Sequence, residues 1–210
     1  MPVTKTAVLT SSHDRLREAA KDLFAERGFE DTTTAAICRM AGTSQSQLIK
    51  HFNNKLGLLE AVFECAWEQI NPAIRLAAER IPSPIDKLKI LVDMMLTFLE
   101  RDRTLRTLFL LEGRRIRGDG HMVVLTPGFL DFIKFLDGIL KEMAAKGELL
   151  PNINIQALRS GLVGTVEGLL RDQHLARTTH FPATFTEADS RVIFSTFLGA
   201  CLKKSTPLNE

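Results

Sequence analysis

One short stretch of the sequence concentrates side chains that form hydrogen bonds: GTSQSQLIKHF, residues 42–52. In the DNA major groove, Gln pairs with adenine through two hydrogen bonds, Lys reaches guanine or a phosphate, and Ser donates to or accepts from base edges. The stretch therefore favours hydrogen bonding to the bases and backbone of a duplex. The alternative is an ordinary solvated helix face, which uses the same kinds of residues.

The charges around this stretch distinguish DNA binding from a solvated helix face better than the composition of the stretch does. No Asp or Glu occurs from Thr32 to Leu59, although the 210-residue chain contains 25 of them. By proportion, about three would be expected in a segment of that length. The segment instead carries Arg39, Lys50, His51 and Lys55, so its surface can lie beside phosphates without repulsion. The net charge of the whole chain, +2, is too small to indicate nucleic-acid binding by itself.

Three helices are predicted to position these side chains. The first follows Ser11 or Ser12 as its cap, ends at Gly28, and places five apolar residues at helical spacing: Leu16, Ala19, Ala20, Leu23 and Phe24. The second opens at the threonine triplet 32–34, turns Ile37 and Ala41 inward, and ends at Gly42.

Ser44 then caps a third helix whose buried edge is Leu48 and Phe52. Its outward face is predicted to consist of Gln45, Ser46, Gln47, Ile49 and Lys50. Two short helices joined by a turn of about three residues have the dimensions of a helix-turn-helix.

The rest of the chain is also predicted to be helical. A long amphipathic helix begins near Lys55 and contains Pro72, which we expect to kink the helix without ending it. Five further helices are predicted at residues 84–102, 104–117, 127–146, 155–175 and 187–203. Alternating Val, Ile and Thr runs are absent, so no β-hairpin is predicted. The fold class is all-α, with about nine helices.

The residues of the N-terminal part also resemble a known family. The run Thr32-Thr33-Thr34, then Ile37, Ala41-Gly42, Ser44, Leu48, Phe52, Lys55 and Leu58-Leu59 is similar to the N-terminal domain of the TetR (tetracycline repressor) family over about residues 10–63. The resemblance implies a homodimeric bacterial repressor that a small molecule releases from operator DNA. It implies a three-helix DNA-binding head at residues 10–54 and a helical ligand-binding and dimerisation body at residues 55–205.

The resemblance also assigns roles to individual residues. Thr33 and Thr34 would donate to phosphate, and Lys55 would hold phosphate from the start of the fourth helix. Ser44, Gln45, Ser46, Gln47, Lys50 and His51 would meet the operator. The chain departs from the family at Ile49, where a tyrosine is usual, and at Ser46 and Gln47, where a Gly-Thr pair is common. Ile49 cannot make a hydroxyl-to-phosphate bond, although its methyl groups could touch a thymine methyl.

Large apolar side chains are frequent in the following region and could line a ligand pocket with a few polar groups. Glu112 is the first candidate for a group that orients the ligand, because it follows four apolar residues. The alternatives are an exposed Glu112 paired with Arg115 or Arg117, and simple core packing for the apolar side chains. The candidate ligand residues are Trp67, Met95, Phe98, Leu108, Phe109, Glu112, Phe132 and Phe135.

Three glycines interrupt the predicted helix at residues 155–175, where each costs about 1 kcal/mol relative to alanine. Gly161, Gly164 and Gly168 form a smooth stripe against which another helix can approach closely. The expected partner is the last helix, with Ile193 and Phe197, and the resemblance implies that these two helices form the dimer interface. Packing within one chain is the competing interpretation.

Several other classes are not supported. The sequence contains no HExxH, G-x-S-x-G, P-loop or dinucleotide-binding motif, so neither an enzyme nor a cofactor is predicted. Asp172, His174 and His180 do not have metal-ligand spacing, so no metal site is predicted. The alternative function is a helical binding module, or an enzyme that uses the apolar body without binding DNA.

The location of the protein follows from similar observations. Three widely spaced cysteines indicate a reducing compartment, and neither a signal peptide nor a membrane span is predicted. We therefore expect a cytoplasmic protein without membrane contact.

Overall fold

A computed structural model describes residues 11–113, 115–116, 122 and 125–203. Within these residues the chain forms nine α-helices and one isolated antiparallel bridge, between Leu149 and Leu202. This confirms the predicted all-α fold. The helices are α1 (Ser12–Arg27), α2 (Thr34–Met40), α3 (Gln45–Phe52), α4 (Lys55–Glu79), α5 (Pro84–Arg101), α6 (Arg103–Leu111), α7 (Pro127–Ala145), α8 (Ile155–Thr178) and α9 (Glu187–Ala200).

Polar side chains cap the first three helices where the sequence predicts. The Ser11 hydroxyl accepts from the Asp14 N–H at 3.1 Å, and the Thr33 hydroxyl accepts from the Ala36 N–H at 3.1 Å. Ser44 accepts from the Gln47 N–H at 3.3 Å. These bonds satisfy backbone donors that the first turn of a helix leaves unpaired. The apolar face of each helix is buried as expected, including Leu16, Ala19, Ala20, Leu23, Phe24, Ile37, Ala41, Leu48 and Phe52.

Three of the predicted helix ends are wrong. α6 ends at Leu111 and not at residue 117, because the N–H groups of Glu112 and Gly113 both turn back to the Leu108 carbonyl, at 2.8 and 3.2 Å. α8 continues to Thr178, since the Thr179 N–H still donates to the Leu175 carbonyl at 2.8 Å.

α9 ends at Ala200, three residues before the predicted end. The backbone that follows pairs with a different segment. The Leu150 N–H donates to the Cys201 carbonyl at 3.0 Å, and the Lys203 N–H donates to the Glu148 carbonyl at 2.8 Å. These bonds replace the helical bonds that a longer α9 would make.

The helices form two compact units. The first contains Met1–Gln69 and Asp102–Phe129, and the second contains Ile70–Arg101 and Leu130–Glu210. The first unit is larger than the predicted head at residues 10–54, because α6 packs against α1. Lys21 of α1 strengthens this contact through a 3.1 Å ion pair with Asp102. The functional boundary between residues 54 and 55 stays a prediction.

The second unit is built around α8 and α9, which pack against each other. Leu162, Leu170, Phe194 and Leu198 are buried in it. Ion pairs join α8 to α7 through Arg159 and Asp137, and α9 to α5 through Arg191 and Asp93, at 2.6 and 2.8 Å. None of the helices in the described residues has the length and hydropathy needed to cross a membrane.

Candidate nucleic-acid interface

The outward face of α3 carries most of the predicted DNA-contacting side chains. Gln45, Ser46, Ile49 and Lys50 are exposed on this helix, whereas Leu48 and Phe52 are buried on its opposite edge. Ser44, the cap residue, is also exposed, and Gln47 is half-buried. The exposed positions recur one turn apart, so they share one helix face.

Hydrogen bonds fix the start of this face against α2. The Gln45 amide nitrogen donates to the Thr34 hydroxyl at 2.9 Å, and the hydroxyls of Ser44 and Ser46 lie 2.8 Å apart. The link from Gln45 to Thr34 connects the two helices of the helix-turn-helix through their side chains. The first turn of α3 is thereby held in one orientation before any partner binds.

The three threonines predicted to open α2 have three different environments. Thr32 is buried, and its hydroxyl lies 2.7 Å from the Gly28 carbonyl and 3.1 Å from the Leu23 carbonyl. Thr33 is the N-cap, and Thr34 is the first residue of the helix. Thr33 is exposed and Thr34 is half-buried at the start of α2, where a phosphate would meet unpaired backbone N–H groups.

His51 lies at the end of α3 and contacts the start of α1. Its Nε2 atom is 2.9 Å from the Ser12 hydroxyl, and its ring meets the His13 ring edge to face at 5.5 Å. The His13 ring also packs on Phe52 at 4.6 Å. His51 is therefore half-buried and ties α3 to α1, in addition to its predicted contact with DNA.

The ammonium group of Lys55 is engaged by the segment between α1 and α2. It donates to the carbonyl oxygens of Phe29, Glu30 and Thr32 at 2.7, 3.2 and 3.0 Å, and it lies 4.3 Å from the centre of the Phe29 ring. An ammonium group has three hydrogens to donate. Lys55 thus fixes the segment that leads into α2, and its predicted contact with phosphate stays a prediction.

Sequence reasoning missed one contact that supports this surface. Ile49 is 55% exposed on α3, where the sequence predicts an outward position, and Met40 of α2 is exposed to the same extent. The Arg15 Nε atom donates to the Ala41 carbonyl at 2.9 Å and so holds the end of α2. The exposure of Ile49 follows from its place beside Leu48 on α3. No sequence pattern indicates the contact between Arg15 and Ala41, which are 26 residues apart.

The predicted ligand residues of the first unit lie in and around an aromatic cluster. The Trp67 ring packs edge to face on the Phe109 ring at 5.6 Å and contacts the Phe129 ring at 5.4 Å. Phe63 joins the cluster through Phe109 at 4.9 Å. Leu108 is fully buried, and Glu112 is buried with an oxygen 3.8 Å from Arg115.

The alternative of an exposed Glu112 is wrong, although the expected pairing with Arg115 is present. The carboxylate is buried, as an orienting group requires, and it is also paired with Arg115, whose guanidinium forms a closer ion pair with Glu30 at 2.8 Å.

The remaining ligand candidates belong to the second unit. Met95 and Phe98 are half-buried on α5, and Phe132 is buried on α7. Phe135 lies in an open groove of about 460 Å³, in which the Arg75 guanidinium covers its ring at 4.9 Å. Ala78 and Ile139 contribute apolar surface to this groove, and Lys87 and Glu142 are charged residues of its lining.

The predicted dimer residues fall on two sides of the α8 and α9 pair. Gly161 faces Phe197 of the same chain so closely that an added Cβ atom would lie 3.1 Å from the phenyl ring. Gly164 is exposed, and a Cβ atom there or at Gly168 would meet nothing within 4 Å. Ile193 is 50% exposed and Val192 62% exposed. The stripe thus contributes to packing within the chain at Gly161 and is open at Gly164.

One contact beyond the predicted set shapes the first unit. The Glu64 carboxylate accepts from the Gly128 N–H, at 2.9 Å for the nearer oxygen, and so caps the first turn of α7. A Cβ atom at Gly128 would lie 2.5 Å from the Trp67 Cβ, so this approach requires glycine. Within the residues that the structure describes, no group of three acidic, Cys or His side chains could hold a metal ion.

Comparison with known proteins agrees with this architecture. The profile described as "Bacterial regulatory proteins, tetR family" matches residues 16–62, which span α1 to α3 and the start of α4. The HTH-type transcriptional regulator UidR of Escherichia coli (strain K12) is 26% identical over 177 residues, which cover 80% of this chain and 85% of UidR.

Two solved structures have a similar fold. The fatty acid degradation regulator FadR from Bacillus halodurans matches 90% of this chain and 96% of its own, with a TM-score of 0.77 and 22% identity. FadR from Bacillus subtilis, solved in complex with stearoyl-CoA, matches 89% of this chain and 96% of its own, with a TM-score of 0.75 and 19% identity. The matched profile places residues 16–62 in the tetR family of bacterial regulatory proteins, and the relatives support a TetR-family transcription regulator.

Proposed function

We propose that this protein is a homodimeric, cytoplasmic repressor that binds a two-fold symmetric operator and leaves it when a small apolar ligand binds to its body. The observation that carries the proposal is the outward face of α3, which presents Gln45, Ser46 and Lys50 within a segment free of acidic residues. This face has both parts of a specific interface, since amide and hydroxyl groups read base edges while the cation attracts phosphates.

The remaining head residues support the same proposal. Thr33 and Thr34 stand at the start of α2, Gln47 and His51 lie on α3, and Lys55 begins α4. A phosphate near the first turn of α2 would accept from the threonine hydroxyls and backbone N–H groups. We therefore assign Thr33, Thr34, His51 and Lys55, together with Lys50, to positioning on the duplex. Gln45, Ser46 and Gln47 are assigned to base recognition.

A dimer is proposed because one helix-turn-helix reads only one half-site. Two recognition helices must lie about 34 to 36 Å apart to enter successive major grooves on one side of the duplex. The exposed faces of α8 and α9 provide a surface for this assembly: Gly164 lets a second helix approach closely, and Val192 and Ile193 offer apolar area.

Two features of the body support an apolar ligand. The aromatic cluster around Trp67 and Phe109 and the groove beside Phe135 both combine rings with charged neighbours, as ligand sites do. The fold relative from Bacillus subtilis was solved with stearoyl-CoA, a ligand with a long apolar chain. We infer that a ligand of this chemical kind, with a long apolar chain joined to a charged, polar group, is the first class to screen.

The proposed coupling uses α6 and α4. α6 carries Leu108 and Phe109 and packs against α1 of the helix-turn-helix unit, so a ligand that displaces Phe109 would disturb α1 directly. α4 runs without interruption from Lys55 through Pro72 to Glu79 and is the second candidate lever. To release the protein from the operator, the ligand must bind the conformation that does not fit the operator more tightly than the other by several kcal/mol.

Selection of duplexes from a random DNA pool by the purified protein tests the DNA-binding part. We expect a two-fold symmetric site, bound with steep salt dependence. Lys50→Ala should lower the slope of log affinity against log salt by about one, whereas Gln45→Ala should relax the preference at one base pair per half-site. Failure of folded, ligand-free protein to enrich any duplex would reject the proposal in favour of a binding module or an enzyme without DNA binding.

Spin-label distances between the two heads of a dimer test the release mechanism. The distance should change when a ligand that lowers DNA affinity is added. An unchanged distance together with lost affinity would contradict the mechanism while leaving the operator site intact.

A further inference from the structure

One apolar side chain stands among the polar residues of the recognition face. Ile49 is 55% exposed on α3, one turn after Gln45 and directly before Lys50. Its neighbour Leu48 is 1% exposed and supplies the inward contact of this turn. Ile49 therefore does not serve the core of the unit, and its two branches are directed to solvent.

The surroundings of Ile49 indicate what can cover it. The segment from residue 32 to 59 contains no carboxylate, and the exposed side chains near Ile49 on α3 include one cation and two neutral hydrogen-bonding groups. Such a surface is complementary to a polyanion, and an apolar side chain in its centre would be dehydrated when the major groove closes over it. Among the four bases, thymine alone presents a methyl group in that groove.

The hydrogen bonds of the neighbouring side chains make a second argument. The Gln45 amide nitrogen donates one hydrogen bond to the Thr34 hydroxyl at 2.9 Å, which orients the amide at the start of α3. Ile49 follows one turn later on the same face, so it would meet a base pair adjacent to the one that Gln45 faces. A helix in the major groove reads neighbouring base pairs with residues one turn apart.

We propose that Ile49 is a specificity-determining residue that recognises the C5 methyl group of a thymine in each half-site. This inference rests on the proposed function, because it requires that α3 enters the major groove of DNA. It adds the kind of base that one position reads and the physical basis of the discrimination, which is burial of two apolar groups against each other and not a hydrogen bond.

Replacement of single thymines by deoxyuridine in the selected duplex tests this contact, since the replacement removes only the methyl group. At one thymine position in each half-site, the replacement should lower the affinity of the wild-type protein for the duplex about fourfold per contact, as expected for one buried methyl group. The same replacement should have no effect on Ile49→Ala, because the partner of the methyl group is already missing. Ile49→Val should give an intermediate loss.

Met40→Ala is the matched control. Met40 is as exposed as Ile49 but lies on α2, so its removal should leave the effect of every deoxyuridine unchanged. The helical circular dichroism and melting temperature of Ile49→Ala should equal those of the wild type, because the side chain is exposed and alanine favours helix.

The possible outcomes separate the two levels of the proposal. If duplexes are selected but each methyl removal affects wild type and Ile49→Ala equally, or affects neither, the role of Ile49 is overturned and DNA binding stands. If no duplex is selected, both the proposed function and this inference are overturned.

Discussion

At the scale of single residues, Lys55 illustrates how the neighbours of a side chain determine its role. Its ammonium group is surrounded by three carbonyl oxygens and a phenyl ring from the segment that precedes α2. Those carbonyls belong to residues that no helix satisfies, and Lys55 supplies their donors from the start of α4. The family resemblance implies that the same residue holds a phosphate.

Lys55→Ala is expected to lower the free energy of unfolding by about 1 to 3 kcal/mol, because partly buried carbonyl oxygens would lose their charged donor. Chemical denaturation followed by circular dichroism measures this loss. Lys55→Arg is the control that keeps the charge but not the compact ammonium geometry. Its free energy of unfolding should lie between those of the wild type and Lys55→Ala.

DNA binding by the same variant separates the two roles of Lys55. A phosphate contact would lower the salt slope by about one, whereas a purely local role would leave the slope unchanged. Unchanged stability of Lys55→Ala would contradict the contribution of its three hydrogen bonds.

At the scale of elements, the caps determine where the helices of the head begin. Thr33 and Ser44 each satisfy a backbone donor in the first turn of α2 and α3, and both lie where DNA is proposed to bind. Loss of either hydroxyl would therefore change both the stability and the DNA affinity of the protein. A substitution that changes only one of these two quantities is needed to separate them.

Ser44→Ala should destabilise the protein by about 1 kcal/mol, because the cap of α3 is lost. Ser44→Asp should retain the stability, since Asp is an equally good cap, but should weaken DNA binding more than Ser44→Ala does because of repulsion between the carboxylate and phosphates. Thermal melts and affinities of both variants check this. Equal DNA affinities for the two variants would show that residue 44 lies away from the DNA backbone.

The start of α9 provides a pH-dependent cap. The Asp189 carboxylate accepts from the Thr186 N–H at 2.6 Å and from the Thr186 hydroxyl at 2.7 Å, and these bonds hold the pKa of Asp189 below its ordinary value. A carboxyl group whose pKa is lower in the folded state than in the unfolded chain stabilises the folded protein at pH values above the unfolded pKa. The contribution is lost as the pH falls through the lower, folded value.

Asp189→Ala should therefore lower the melting temperature at neutral pH, and the difference from wild type should shrink as the pH falls below about 4. Asp189→Glu should keep most of the stability, because Glu also completes a capping box. A melting-temperature difference that is constant between pH 7 and pH 3 would contradict an ionised cap.

At the scale of the whole molecule, the proposed dimer would use a surface that the single chain leaves open. Gly164 on α8 is exposed with free space around the position of a side chain, and Val192 and Ile193 on α9 are exposed. We expect a second copy to cover this surface, because paired recognition helices require a dimer.

Gly164→Leu should convert the dimer to a monomer and abolish binding to the symmetric site, because the added side chain would keep the helices of two copies apart. Sedimentation velocity measures the state of assembly. Gly138→Leu is the matched control: Gly138 is an exposed glycine of α7 with nothing within 4 Å of an added Cβ atom. A Gly164→Leu protein that remains dimeric would place the interface elsewhere.

Local patterns predicted much of this protein. Capping residues, apolar spacing and glycine stops gave α1, α2 and α3 nearly to the residue, because each signal acts within one or two turns of its own helix. The acid-free segment from Thr32 to Leu59 and the family resemblance predicted the DNA-binding part, and the matched profile and relatives support the resemblance. The end of α6 was missed because the stop was assigned to Gly118, although Gly113 directly after Glu112 is a glycine stop of the same kind.

Tertiary structure alone decided the contacts between residues that are distant in the chain. The attachment of α6 to α1, the carbonyl contacts of Lys55, and the capping of α7 by Glu64 join residues that are 23 to 81 positions apart, from Lys55 and Thr32 to Lys21 and Asp102. No periodicity encodes such pairs, because they depend on which helix faces meet after the chain has packed. For the same reason the sequence named side chains for a DNA interface, while only the packed structure decided which of them are exposed.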